Sequence, residues 1–378
     1  MNIVVAPDSF KGSLSALEAG TIIQKAFCTV LPQAHIDVIP MADGGEGTLE
    51  TLLFSTKGKR FQIEVTGPLG EKVLTEYGVF GDDDTVIIEM AKISGLPMVP
   101  EEKRNPLDTT TFGIGEVIQE AIQKGYRKFI VGLGGSATND GGLGMLLALG
   151  VTFLDRNGQT VSPFGSSVQQ VAKVDYSTMN PIVRECSFQI ASDVENPLCG
   201  ENGASAVFGP QKGATEEMVH QLDAALAHYG QVIEEHLKHP FMAKQGAGAA
   251  GGLGFAFLTI GGEMMSGAQL IGDAAGLQEK IKKADLIITG EGQSDFQTLF
   301  GKVPGYIGKL AAEHNVRALL LSGSLGKGYE ELYKYFVGCD SIVTGPMHLQ
   351  ECIEKADTLL YQKAVNIARL IKHFEGGN

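Results

Sequence analysis

The sequence contains no run of about 18 apolar residues, the length a helix needs to cross a bilayer, so no membrane-spanning segment is expected. Cysteine is sparse. The five present are an odd number without a C-x-x-C pair, which makes neither a disulfide framework nor a zinc site and fits a reducing cytoplasm. The eight histidines show no H-x-x-x-H or H-E-x-x-H spacing, so zinc hydrolase chemistry is not expected either. Lys and Arg number 30 against 44 Asp and Glu, and a net charge of -14 without a clustered cationic face argues against nucleic acid as a partner. The densest basic stretches, 57–60 and 280–283, read as solvated helix ends. The opening MNIVVAPDSF has no basic leader before its apolar run and no small-residue cleavage site after it, so it reads as a strand and not as a signal peptide.

What is present is the composition of a soluble globular chain, 43% apolar and 20% charged, able to bury a large core. At 378 residues it exceeds what one ordinary core accommodates, so two domains are expected. The first 57 residues alternate strand and helix: strands at 3–6 and 36–39, a helix starting after Ser15 with Glu18 as its capping-box partner, and a helix over 49–55. The C-terminal part repeats that grammar, with strands at 286–289, 318–322 and 341–344 and a closing helix over 355–373. The middle differs. Strands at 86–90, 128–132 and 187–191 are interleaved with glycine clusters and a polar helix near 215–237. The expected fold class is therefore α/β. A Rossmann-like, doubly wound parallel-sheet domain is formed by both termini (1–61 with 285–378) and interrupted by a large inserted α/β domain (62–284), with the active site in the cleft between them.

Chemistry-bearing residues gather where strands end. The first strand runs into Asp8, Ser9 and Lys11, and the second into Asp43, Gly44 and Gly45, at the carboxyl ends where open α/β sheets bind ligands. The strand at 128–132 runs into Gly134, Gly135, Ser136, Asn139 and Asp140 before an apolar helix, a glycine loop of the kind whose N–H groups cradle phosphate. Asp193, Glu195 and Asn196 follow the strand at 187–191 and lead on to Lys212; Glu291 and Asp295 follow the strand at 286–289, with Lys302 beyond. None of the three Gly-Lys pairs precedes Ser or Thr, which excludes a Walker P-loop, and the protein-kinase signatures and a nucleophile elbow are absent too. Acids, amides and lysines at strand ends suit phosphoryl transfer: carboxylates for Mg²⁺, cations for the moving phosphoryl group, and a base near the attacking hydroxyl. A metal-dependent hydrolase would use similar parts.

These residues lie in seven ordered motifs: APDSFKGSLSA at 6–16, MADGGEGT at 41–48, GGSATNDGG at 134–142, NPLCG at 196–200, VFGPQKGA at 207–214, GAGAAGGLG at 246–254, and ITGEG with the later QT and GK at 288–302. Through them the chain resembles the bacterial glycerate kinase family, of the non-P-loop glycerate 2-kinase type, over nearly its whole length. The resemblance implies ATP, Mg²⁺ and D-glycerate, with 2-phosphoglycerate as the expected product. It also implies roles. Asp193 or Asp43 would act as base or Mg²⁺ ligand, with Asp295 as a further ligand and Asp8 among the catalytic residues; Lys11 and Lys212 would neutralise phosphate. Gly134, Gly135, Gly251 and Gly252 would belong to loops holding substrate or nucleotide phosphate, and Arg104 with Thr110 would seat the glycerate carboxylate. At Gln293 and Ser294 the chain departs from the basic residue that family members often carry. A kinase for another short hydroxy acid, such as tartronate or threonate, or a non-catalytic sensor of nucleotide or sugar acid, is the alternative. A cytoplasmic monomer or homodimer is expected.

Overall fold

Ile3 and Val5 point to one face of the first strand and Val4 to the other, and all three are buried. A strand buried on both faces belongs inside a parallel sheet. In the computed structural model, which describes residues 1–375, strand Asn2–Val5 pairs in parallel with His35–Val38 on one side and Leu286–Thr289 on the other. The last three residues of the expected terminal segment lie outside the described residues. The sheet has five strands in the order Gly338–Ser341, Arg317–Ser322, Leu286–Thr289, Asn2–Val5, His35–Val38, all parallel.

Helix Ala16–Val30 begins with the capping box its sequence calls for: Ser15 Oγ accepts from the Glu18 N–H, and Glu18 Oε2 accepts from the Ser15 N–H. Its Ile23 and Phe27 share a core with Leu360, Ala364 and Ala368 of helix Ala356–Glu375 and with Ile3, Val5 and Ile288 of the sheet. On the other face Val4 and Ile287 are buried as well, so the sheet is covered on both sides, as a doubly wound sheet must be.

The chain divides into two compact units. One comprises Met1–Asp43, Glu50–Ser55 and the chain from Ala268 onward; the other comprises Gly44–Leu49 and Thr56–Gly267. The second unit is built on a six-stranded sheet. Glu263–Met265, Ser187–Ala191, Lys128–Gly132 and Thr85–Glu89 run parallel, and the hairpin of Lys72–Val79 and Lys59–Thr66 adds antiparallel strands beside Thr85–Glu89. Val86, Ile88, Phe129, Val131 and Phe188 form its core with residues of helices Phe112–Gln123, Glu216–Leu237 and Ala249–Thr259.

Two expectations need correction. The strand expected at 341–344 is Gly338–Ser341: its pairing ends at Ser322 opposite Ser341, and the β-branched residues that follow leave the ladder after one more bond, from Ile342 N–H to Ser322 O at 2.9 Å. The basic stretch at 57–60 is not a helix end throughout, because Lys59 and Arg60 open strand Lys59–Thr66, with Lys59 paired to Asp83 in the turn before Thr85–Glu89 and Arg60 to Glu76 across the hairpin. Replacing Ser15 by Ala removes one side of the capping box and should lower stability by about 1 kcal/mol. The check is a lower urea midpoint at unchanged slope.

Candidate active site

Within the first unit, the order of the sheet decides where a ligand can bind. Asn2–Val5 leads outward to His35–Val38 on one side, whereas Leu286–Thr289, Arg317–Ser322 and Gly338–Ser341 follow on the other. The loops leaving Asn2–Val5 and Leu286–Thr289 therefore part in opposite directions and open a crevice above their carboxyl ends. Asp8 and Glu291 sit there. The ladder carries on past the strands, with Asp8 N–H donating to Gly290 O at 2.9 Å and Met41 N–H to Pro7 O at 2.9 Å, so all three loops start from fixed positions.

The crevice is a cavity of about 430 Å³ lined by Asp8, Ser9, Lys11, Asp43, Glu291 and Lys302 among others. Asp8 is buried, and its Oδ1 accepts from the Ser9 N–H at 2.7 Å. Its pKa is pushed up to about 7, first by loss of water around the carboxyl and second by the negative charge of Asp43, with the Ser9 N–H and Lys11 pulling the other way. Lys11 Nζ lies 3.2 Å from Asp43 Oδ2, and its side chain is 76% exposed. Asp43 is the main reason that the Lys11 ammonium is held above its ordinary value. Glu291 is fastened on both oxygens: Oε1 accepts from Ser294 Oγ at 2.9 Å and Thr298 Oγ1 at 2.8 Å, and Oε2 lies 3.4 Å from Lys302 Nζ. Ser294 Oγ also meets Ser322 Oγ at 2.7 Å, a buried link to the end of the next strand that sequence reasoning missed.

The cavity also has an apolar lining that no sequence signal marked as functional. Ile342, Val343, Leu349, Cys352 and Ile353 line the same cavity. Asp295, expected as a metal ligand, caps the short helix Phe296–Leu299, its Oδ1 accepting from the Gln297 N–H at 2.8 Å.

In the second unit the glycine clusters are explained first by backbone meeting backbone. A Cβ on Gly134 would stand 2.4 Å from Gly45 Cα, one on Gly44 2.4 Å from Ala191 O, and one on Gly251 2.0 Å from Thr138 O. Gly135, Gly251 and Gly252 also have positive φ. Asp140 is wholly buried and braces the loop: it accepts from the Thr111 N–H and Oγ1 at 2.8 and 2.7 Å, and from the N–H groups of Gly142 and Gly144. Asn139 donates to Ser205 Oγ at 3.0 Å, and Ser136, also buried, bridges to Gly95. Lys212 is buried with its Nζ donating to Thr138 O at 2.6 Å; burial pushes its pKa down to about 7, partly offset by Asp140. Thr110 is buried and its Oγ1 accepts from the Phe112 N–H, whereas Arg104 Nε is buried with no hydrogen-bond partner among the described residues. Asp193 Oδ1 accepts from the Gly267 N–H at 3.1 Å, and Asn196 Nδ2 donates to Asn202 O. Sequence reasoning passed over Glu89, which ends strand Thr85–Glu89 and accepts from the N–H groups of Gly47 and Leu49. Its one signal was an acid closing a run of apolar residues.

Because folding raises the Asp8 pKa from 3.8 to about 7, the native protein holds this proton more tightly than the unfolded chain. The stabilisation is complete below about pH 4 and lost as pH rises toward about 7. Asp8→Asn should remove that decline, so the variant gains stability relative to the wild type across this interval. Urea midpoints measured at a series of pH values check it.

The model of the glycerate kinase family matches residues 3–372. A glycerate kinase of Halalkalibacterium halodurans is 44% identical over 97% of each chain, and a glycerate 2-kinase of Escherichia coli is 43% identical over 97% of each. A crystal structure described as glycerate kinase 2 from Salmonella typhimurium superposes with a TM-score of 0.89 at 41% identity, covering 100% of this chain and 99% of that one. The chain belongs to the glycerate kinase family.

Proposed function

We propose that the protein transfers the γ-phosphoryl group of ATP to the 2-hydroxyl of D-glycerate, yielding 2-phosphoglycerate and ADP. One observation carries this reading: two lysines, Lys11 and Lys302, meet the carboxylates of Asp8, Asp43 and Glu291 in one cavity at the switch point of a parallel sheet. Phosphoryl transfer is mainly positioning and charge neutralisation, and these side chains supply both. Asp43 and Glu291 hold the two ammonium groups until phosphate replaces them as partner. Asp8, with a pKa of about 7, is matched to taking a hydroxyl proton near neutral pH. In the step, the substrate oxygen bonds to the γ-phosphorus, the bond from that phosphorus to the bridging oxygen breaks, ADP leaves, and the hydroxyl proton passes to Asp8.

Mg²⁺ is part of the nucleotide substrate in this reading, a hard cation suited to phosphate and carboxylate oxygens. Among the described residues, no three His, Cys, Asp or Glu side chains are grouped so as to hold a metal by themselves. Asp43 or, as the alternative, Asp193 has the oxygen chemistry to complete its coordination. Asp295 has it too, but with one oxygen already engaged in the helix cap. Arg104 supports the proposed carboxylate seat, since a buried donor without an acceptor among the described residues suits an incoming anion.

A coupled assay of ADP release with ATP and Mg²⁺ should give turnover with D-glycerate well above that with L-glycerate, tartronate or threonate, and phosphorus NMR of the product should place the phosphate on carbon 2. No ADP release from folded protein with any of these acids would overturn the kinase reading. Asp8→Asn and Asp193→Ala should each lower kcat by about 10²-fold or more with the fold retained. Near-normal turnover in either variant would remove that residue from the chemistry.

A further inference from the structure

The cavity of the first unit is larger, and on one side greasier, than a three-carbon acid requires. Its volume of about 430 Å³ lies in the range of roughly 300–1,000 Å³ typical of pockets for drug-sized ligands. Glycerate is polar at every carbon and has nothing to gain from Ile342, Val343, Leu349, Cys352 or Ile353. Those residues come from one stretch of chain. Ile342 and Val343 follow the edge strand Gly338–Ser341, and the rest belong to the short helix Leu349–Glu354. Leu349 is 77% exposed at the lip, an apolar side chain left largely uncovered by the described residues. The helix is tied toward the phosphate side by Ser13 Oγ, which donates to Ile353 O at 3.1 Å.

We infer that this apolar wall receives the purine base of the nucleotide, so that ATP is bound within the first unit, base against the segment 342–353 and phosphates toward Lys11 and Lys302. The inference rests on the proposed kinase activity and adds to it which unit holds ATP and by which residues. A flat heteroaromatic ring suits such a wall, and polar groups of the same cavity, Gln293 and Ser324, are at hand for its edge. A molecule with a heteroaromatic base at one end and three phosphates at the other matches a cavity whose lining includes both apolar residues and the lysines Lys11 and Lys302.

Cys352 reports on this directly, because it lines the cavity and is half-buried. In the wild-type protein, saturating ATP should slow alkylation of Cys352, followed by peptide mapping, by about tenfold or more, while inorganic tripolyphosphate and D-glycerate leave it within about twofold, with exposed Cys28 as the internal reference. Unchanged labelling under ATP would overturn the inference, as would equal protection by tripolyphosphate, which carries no base. Filling the wall with Ile353→Trp should raise the KM for ATP about tenfold and leave the KM for D-glycerate within about twofold. Turnover of glycerate with Cys352 unprotected by ATP would sink the base site alone. Protection by ATP without turnover would keep the base site and sink the kinase reading.

Discussion

The parallel pairing of Asn2–Val5 with Leu286–Thr289 is the constraint on which the first unit depends. It joins the start of the chain to a segment beyond the whole second unit, and it makes Asn2–Val5 an interior strand from which the chain departs in two directions. Without it there is no switch point and no crevice. Because the ladder continues through Ala6 and Asp8 to Ile288 O and Gly290 O, the Asp8 carboxyl is delivered into a dry position beside Asp43 by backbone bonds and not by the side chain's own preference. Loss of water around the carboxyl and the charge of Asp43 both raise its pKa. Lys11 and the Ser9 N–H moderate the shift and leave the group titrating near neutrality, which is the useful range.

The second unit solves a different problem, the stacking of three loops. Gly44 and Gly45 lie against the ends of Lys128–Gly132 and Ser187–Ala191, and Gly251 lies against Thr138, at distances that no side chain could share. Such close backbone contact leaves little room for the loops to relax. Asp140 then ties residues 111, 142 and 144 to one carboxylate, and Lys212 is held on Thr138 O in a place where its charge is costly. The glycines that look like phosphate turns are required first for this packing, and any anion-binding role rests on top of it.

The local grammar of the sheets was legible in one dimension. Strands 128–132, 187–191 and 286–289 stand at those bounds, and the Ser15 and Glu18 capping box forms as its spacing implies. Asp8, Asp43 and Glu291 were legible too, because an acid just past an apolar strand is conspicuous in the sequence, and Ser9, Lys11 and Lys302 follow in the same loops or beyond them. The residues after Ser341 misled for a physical reason: Ile342 and Val343 have the β-branched character of a strand, and they use it to line a cavity.

By itself, then, the sequence determined where strands end and which reactive side chains follow them, since periodicity and turn chemistry act over a few residues. It also carried the family, through motifs that are local runs. Which strand ends become neighbours was decided only by the tertiary structure, because strand order depends on pairings between segments hundreds of residues apart. That order put Asp8 beside Glu291 and brought the apolar segment 342–353 into the same cavity, and the burial it created, not the identity of Asp8, moved that carboxyl to neutrality.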